Sequence, residues 1–145
     1  CLTDELVVVA PVDHEFSGRD SVSIMEVAEW PFICREEGSG TREVIIEYLV
    51  QQGGKEDQLD ICLELGSPEA IKGAIEACMG VSILSLSSLS KELQLGTLCS
   101  IPLSPPLERP FSFIRQRQKF RYRAMEELLR FAQTYCRSHE EQKKA

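Results

Sequence analysis

The sequence predicts a doubly wound α/β fold with a mostly parallel sheet, and three observations carry that prediction. Short apolar runs alternate with segments of helical period along 145 residues. One local grammar, a strand followed by Gly-Ser and a helix, occurs twice. The first strand and the last strand–helix pair lie outside residues 11–103 and have too few elements to make a lobe by themselves. A chain that leaves one lobe, completes a second and returns is the pattern of a two-lobed binding protein.

Taken in order, "ELVVVAP" reads as a buried strand stopped by Pro11. "VDHEFSGRDS" is a loop, and "SIMEVAEW" a short helix with Ser23 as its cap. "PFICR" (31–35) is too short for a helix once Pro31 and Gly38 bound it, so it reads as a strand. From Thr41 onward, Val44, Ile45, Tyr48 and Leu49 recur on one helical face, and Gly53-Gly54 ends that helix. "ICLEL" is strand-like. Ser67 then caps a helix with Pro68 at its first position, where a missing N–H costs nothing. Ile71, Ala74, Ile75 and Cys78 line its inner face, and Gly80 stops it. "VSILSL" returns as a strand, "SSLSKELQLG" is a short helix closed by Gly96, and "LCSIPL" (98–103) is another strand. "SPPLERP" reads as a stiff linker and "FSFIR" as the last strand. The closing helix shows Met125, Leu128, Leu129, Ala132 and Tyr135 on one side.

Composition narrows the function classes. No run approaches the roughly 18 apolar residues of a membrane helix. The chain opens on Cys1-Leu2-Thr3-Asp4 without an initiator methionine or a leader, and reads as a piece of a longer protein. Its six cysteines are widely spaced, never form C-x-x-C, and fit buried free thiols in a reducing cytosol better than a disulfide framework. His14 and His139 are far apart and have no metal-ligand spacing, so neither a metal nor another cofactor is expected. The net charge of −7 is uneven. Residues 1–100 carry 6 basic and 18 acidic side chains, whereas residues 101–145 carry 10 and 5. The main body would repel a phosphate backbone. The basic stretch "RQRQKFRYR" (115–123) reads as a strand end and first helical turn rather than a nucleic-acid patch.

"REEGSGTREV" (35–44) holds two glycines, two hydroxyls and Arg42, but no lysine. A P-loop needs a longer glycine-rich loop ending in Gly-Lys-Ser/Thr. A nucleophile elbow needs a glycine two before the serine, where this chain has Glu37, and neither histidine is placed as a base for Ser39. Cys34 would want an anion-binding arginine soon after it, and Arg42 comes eight residues on. All three catalytic readings fail, leaving a binding site without a catalyst. Its echo, "LELGSPEA", puts Gly66 and Ser67 at the matching point, so two helix N-termini open at the carboxyl end of the sheet. Gly38 and Gly40 let backbone approach a ligand, and Ser39, Thr41 and Ser67 offer hydroxyls. Ser39 and Ser67 also fit plain caps; the cap reading is favoured for Ser67, but one cap does not need the two glycines and second hydroxyl that surround Ser39. Arg42 either adds charge to the site or points outward into solvent.

"PFICREEGSGTREVIIEYL", "LELGSPEAIKGAIEACMGVSILS", "KELQLGTL" and "RPFSFIRQ", in this order and spacing, resemble the effector-binding domain of LysR-type bacterial transcriptional regulators. The likeness covers nearly the whole chain, and within the family it is close to the branch similar to regulators of cysteine and sulfur metabolism. The resemblance implies a type II periplasmic-binding-protein-like fold: two Rossmann-like lobes joined by two crossings, with parallel-dominated mixed sheets. Residues 1–10 would end the first part of lobe I and cross over, 11–103 would form lobe II, and 104–145 would cross back and supply the C-terminal strand and helix of lobe I. It further implies a small anionic effector, an oxyanion or a carboxylate, in the cleft between lobes. Gly38, Ser39, Gly40, Thr41, Gly66 and Ser67 would meet it from lobe II, with Arg42 a further contact. "ACMGVSI" (77–83) stands where the family has a glycine-rich turn, with Cys78 in place of its first glycine. Dimers or tetramers, a cytoplasmic location, and operator DNA reached only through an N-terminal helix-turn-helix outside this chain complete the expectation. A solute-binding transport component is the alternative.

Overall fold

The computed structural model describes residues 2–112, 114 and 122–143. It divides into two compact units: Glu5–Glu108, and Cys1–Asp4 with Arg109–Ala145.

The larger unit follows the predicted order closely. Strand β1 spans Leu2–Pro11, helix α1 Ile24–Val27, β2 Phe32–Arg35 and α2 Gly40–Gln51. Then come β3 Ile61–Leu65, α3 Pro68–Glu76, β4 Ser82–Ser85, α4 Ser90–Leu95 and β5 Leu98–Phe111. Local chemistry explains the helix ends. Ser23 and Glu26 form a reciprocal capping box at α1, and Ser67 Oγ accepts the Ala70 N–H at α3 with Pro68 behind it. Gly96, at φ +67°, closes α4.

The strands form a three-stranded sheet in the order β4-β1-β5 and a parallel pair β2-β3. β1 pairs antiparallel with β4, Leu6 opposite Ser85 and Val9 opposite Ser82. A parallel bridge between Phe32 and Val81 joins the two sheets, with Val81 N–H donating to Pro31 O (2.9 Å) and Ile33 N–H to Val81 O (2.8 Å). Both faces of β1 are covered, one by α2 and the other by α3, so its apolar run does not alternate with polar residues. Leu6, Val8 and Ala10 join Phe32, Ile45, Tyr48 and Leu49 in one core; Val7 and Val9 join Ile33, Ile71, Ile75 and Leu89 in the other. The unit is therefore three layers, with α2 and α3 on opposite faces.

Two expectations for this unit are corrected. "SPPLERP" is not a linker, because β5 continues through it to Phe111. Proline holds the extended φ of a strand and its missing N–H is harmless on a strand at the sheet edge, which is where β5 lies. Ile101, Leu103 and Leu107 on this strand are buried, and the Tyr48 hydroxyl donates to the Pro105 carbonyl. Cys78 does not line α3. That helix ends at Glu76, and Cys78 adopts φ +56° with an exposed side chain. Of the other described cysteines, all free, Cys34 and Cys136 are buried, Cys99 is half-buried and Cys62 is exposed.

In the smaller unit, Arg109 donates from Nε (2.9 Å) and Nη2 (2.8 Å) to Asp4 Oδ2, and the Asp4 side chain is buried. Helix α5 spans Arg123–Lys143. Its inward stripe is Met125, Leu129, Ala132 and Cys136, at spacings of four, three and four, while Leu128 and Tyr135 are exposed. Met125, Leu129 and Ala132 of the predicted face are on this stripe, and Cys136 completes it in place of Leu128 and Tyr135. Of the "FSFIR" strand only Phe111 lies in β5, and Phe113 and Arg115 fall outside the described residues, as does most of "RQRQKFRYR".

Candidate functional site

The parallel register of β2 and β3 places Arg35 opposite Leu65. Both strands therefore end together, and the turns Glu36–Ser39 and Gly66–Ser67 leave the sheet side by side. The two helix starts inferred from the repeated grammar do share one edge. Gly38 turns the chain at φ +81°, a conformation that a side chain disfavours. The next residues enter α2, whose first N–H groups have no partner within the helix and carry its positive dipole end.

The two serines behave differently. Ser67 Oγ is the side-chain cap of α3, accepting from Ala70 N at 3.1 Å. Ser39 occupies the N-cap of α2 by backbone geometry, and its carbonyl accepts the Glu43 N–H at 3.1 Å. Its hydroxyl makes no capping bond, although the residue is only 8% exposed. The hydroxyl of a mostly buried residue at the start of a twelve-residue helix is thus left over from the structural work that its counterpart performs. Gly66 is exposed; Gly40 and Thr41 form the first two positions of α2.

Arg42 does not point outward into solvent, the second of the readings left open for it. Its Nη1 donates to Glu64 Oε1 at 2.8 Å and to Arg35 O at 3.2 Å, and its side chain is 16% exposed. It reaches from α2 to the ends of β2 and β3. Arg35 is also engaged, with Nε and Nη2 on the two carboxylate oxygens of Glu36 at 2.7 and 2.8 Å, which pulls Glu36 down to about 2. Both arginines beside the turn thus already hold carboxylates. An adjoining cavity of about 390 Å³ is lined by Gly38 and Arg42 together with Glu37, Glu43, Glu47 and Glu56. An anion at the α2 start would be held chiefly by backbone N–H groups and hydroxyls. Burial pushes the Cys34 thiol up despite the nearby Arg42 charge, so it is no activated nucleophile.

A second cavity, about 310 Å³ and mainly apolar, opens at the opposite end of the strands, between Trp30–Pro31 before β2 and Cys78–Val81 before β4. His14 lines it. Its Nδ1 accepts the Phe16 N–H at 3.2 Å, its ring packs edge-on to Trp30 with centroids 4.4 Å apart, and burial lowers its pKa, so it is held neutral. Sequence reasoning passed over this cavity and also over Glu64, the partner of Arg42. "ICLEL" reads only as a strand, and nothing local marks its glutamate as an arginine's acceptor 22 residues away.

The layered sheet with paired helix starts at one edge defines an α/β ligand-binding lobe. Residues 1–137 match the family described as the LysR substrate binding domain, and the chain belongs to that family. It is 38% identical over 137 residues to the HTH-type transcriptional regulator YeiE of Escherichia coli K12, covering 93% of this chain and 44% of YeiE. It is 30% identical over 119 residues to the RuBisCO operon transcriptional regulator of Allochromatium vinosum, covering 81% of this chain and 38% of the relative. The chain thus spans less than half the length of these regulators. Among solved structures, the regulatory domain of CcmR from Synechocystis PCC6803, in complex with 2-PG, matches with a TM-score of 0.79 and 31% identity over 90% of this chain and 62% of that one. The effector-binding domain of QuiR, in complex with shikimate, matches in fold with a TM-score of 0.71 and 19% identity, covering 95% of this chain and 64% of that one. The fold is the type II periplasmic-binding-protein-like fold of LysR effector-binding domains. Among the described residues no helix is long and apolar enough to cross a membrane.

Proposed function

We propose that this chain is the sensing part of a LysR-type transcriptional regulator and binds a small anionic effector, an oxyanion or a carboxylate, at the start of α2. Ser39, Gly40 and Thr41 supply the donors, Gly38 gives the backbone room, and Gly66 and Ser67 border the site. The observation that carries this reading is Ser39, a residue only 8% exposed at a helix start, whose hydroxyl is not used as a cap. That two neighbouring structures of this family hold 2-PG and shikimate supports a small organic effector. No bond is broken. An effector that prefers one conformation of the regulator shifts its population, and with it the grip of a helix-turn-helix outside this chain on operator DNA. Self-association as a dimer or tetramer would pass the shift between copies, and the work is done in the cytoplasm, where that DNA lies.

Titration of the 145-residue chain with sulfate, phosphate and small carboxylates, followed by amide chemical shifts, tests the proposal. Movement is expected at residues 38–43 and 66–68. Unmoved amides at 38–43 with movement elsewhere would sink it.

A further inference from the structure

We infer that Arg42 is a positioning residue of the effector site, acting through Glu64 rather than on the ligand. The inference rests on the proposed site at Ser39–Thr41 and adds a role for two residues beside it.

Three pieces of chain bound that site: the end of β2, the start of α2 and the end of β3. One side chain ties all three. Arg42 stands at the third position of α2, and its Nη1 is shared between the carbonyl of Arg35, the last residue of β2, and the carboxylate of Glu64 on β3. Glu64 is two residues before Gly66 and three before Ser67, so the contact closes 22 residues of sequence into a direct link between the two turns. The side chain is 16% exposed, and its Nη1 is committed to these two acceptors where Arg42 lines the cavity beside Gly38. The pairing also neutralises a carboxylate that would otherwise stand near a site meant for an anion. A half-exposed pair adds little to global stability. Its effect is geometric: it sets the distance between two sets of donors, and binding depends steeply on such placement.

The test is a double-mutant cycle on anion affinity, with sulfate and acetate as probes and the amides of residues 38–43 and 66–68 as readout. Arg42→Gln and Glu64→Gln are each expected to weaken binding by about threefold to tenfold, and the double variant to be no weaker than either single one. Arg42→Lys, which keeps the charge, is expected to recover part of the loss. If Arg42 touched the anion directly, Arg42→Gln would cost far more than Glu64→Gln. Glu64→Gln would then free the guanidinium and tighten binding, and that result overturns the inference. Unchanged affinity in both single variants, with only a lowered unfolding midpoint, overturns it as well by showing a merely structural pair. Should Arg42→Gln fail to fold, Glu64→Gln alone decides between weaker and tighter binding. A wild-type chain whose amides at 38–43 do not move with any anion removes the site itself, and this inference with it.

Discussion

Lys72 on α3 and Glu92 on α4 form a buried ion pair, Nζ to Oε1 at 2.9 Å. Lys72 Nζ also donates to the Ser88 carbonyl at 3.1 Å and reaches the exposed Glu69 at 2.8 Å. Desolvation works against the Lys72 charge, but its two carboxylate partners outweigh it and raise its pKa; the hydrogen bond from Lys72 lowers that of Glu92. Lys72→Met would strand a buried carboxylate, which is among the most damaging single changes. It is expected to lower the thermal midpoint by about 5 °C or more, and Glu69→Gln to change it little. The double variant Lys72→Met, Glu92→Met is expected to recover most of the loss. Calorimetry on the four proteins checks this, and equal damage from the Glu69 variant would contradict it.

Ser39 and Ser67 make a matched pair for separating structure from binding. Ser67→Ala removes a real cap and is expected to cost about 1 kcal/mol, whereas Ser39→Ala removes no capping bond and is expected to cost under about 0.5 kcal/mol. Anion-induced amide shifts should behave the other way, lost in Ser39→Ala and retained in part in Ser67→Ala. Denaturant midpoints and the shift titration, run on the same samples, give both answers.

Acid sensitivity follows from the depressed carboxylates. Glu26 is drawn from 4.5 to about 2 by the Ser23 backbone N–H, the Arg19 guanidinium and the Ser23 hydroxyl. A depressed folded-state value means that the contribution is complete above the unfolded value of 4.5, and is lost as pH falls toward about 2. Glu36, held by Arg35, acts in the same window. Stability is therefore expected to decline between about pH 5 and pH 2, and Glu26→Gln to flatten part of that slope. Denaturant melts at stepped pH measure it; a wild-type profile no steeper than that of Glu26→Gln would refute the capping-box account.

The turn between α3 and β4 makes opposite demands at neighbouring positions. Cys78 holds φ +56°, which disfavours a side chain, so Cys78→Gly is expected to stabilise by up to about 1 kcal/mol. At Gly80 a Cβ would lie 2.4 Å from the Pro31 carbonyl oxygen, a backbone atom that cannot swing away. Gly80→Ala is expected to destabilise by about 1–3 kcal/mol. Thermal melts of the two variants should move in opposite directions.

The alternation of elements was legible because each boundary is set within a few residues. Ser23 with Glu26, Ser67 with Pro68, and Gly96 announce helix ends without reference to the rest of the chain. The strand through "SPPLERP" was not legible, since proline marks a linker or an edge strand equally well and only the neighbouring β1 decides. The face of α5 was legible at Met125, Leu129 and Ala132 but not at Leu128 and Tyr135, which are exposed. Leu128 and Leu129 point to different sides, and what each meets is a matter of packing.

For the site, sequence alone determined that two helices begin with Gly-Ser after parallel strands, because caps, turns and strand periods are short-range properties. Tertiary structure decided what those residues are free to do. It left the Ser39 hydroxyl without a cap bond while using Ser67 as one, and it led Arg42 to Glu64 across 22 residues. A side chain's partner is chosen by what packing brings within about 3 Å, and no local pattern encodes that.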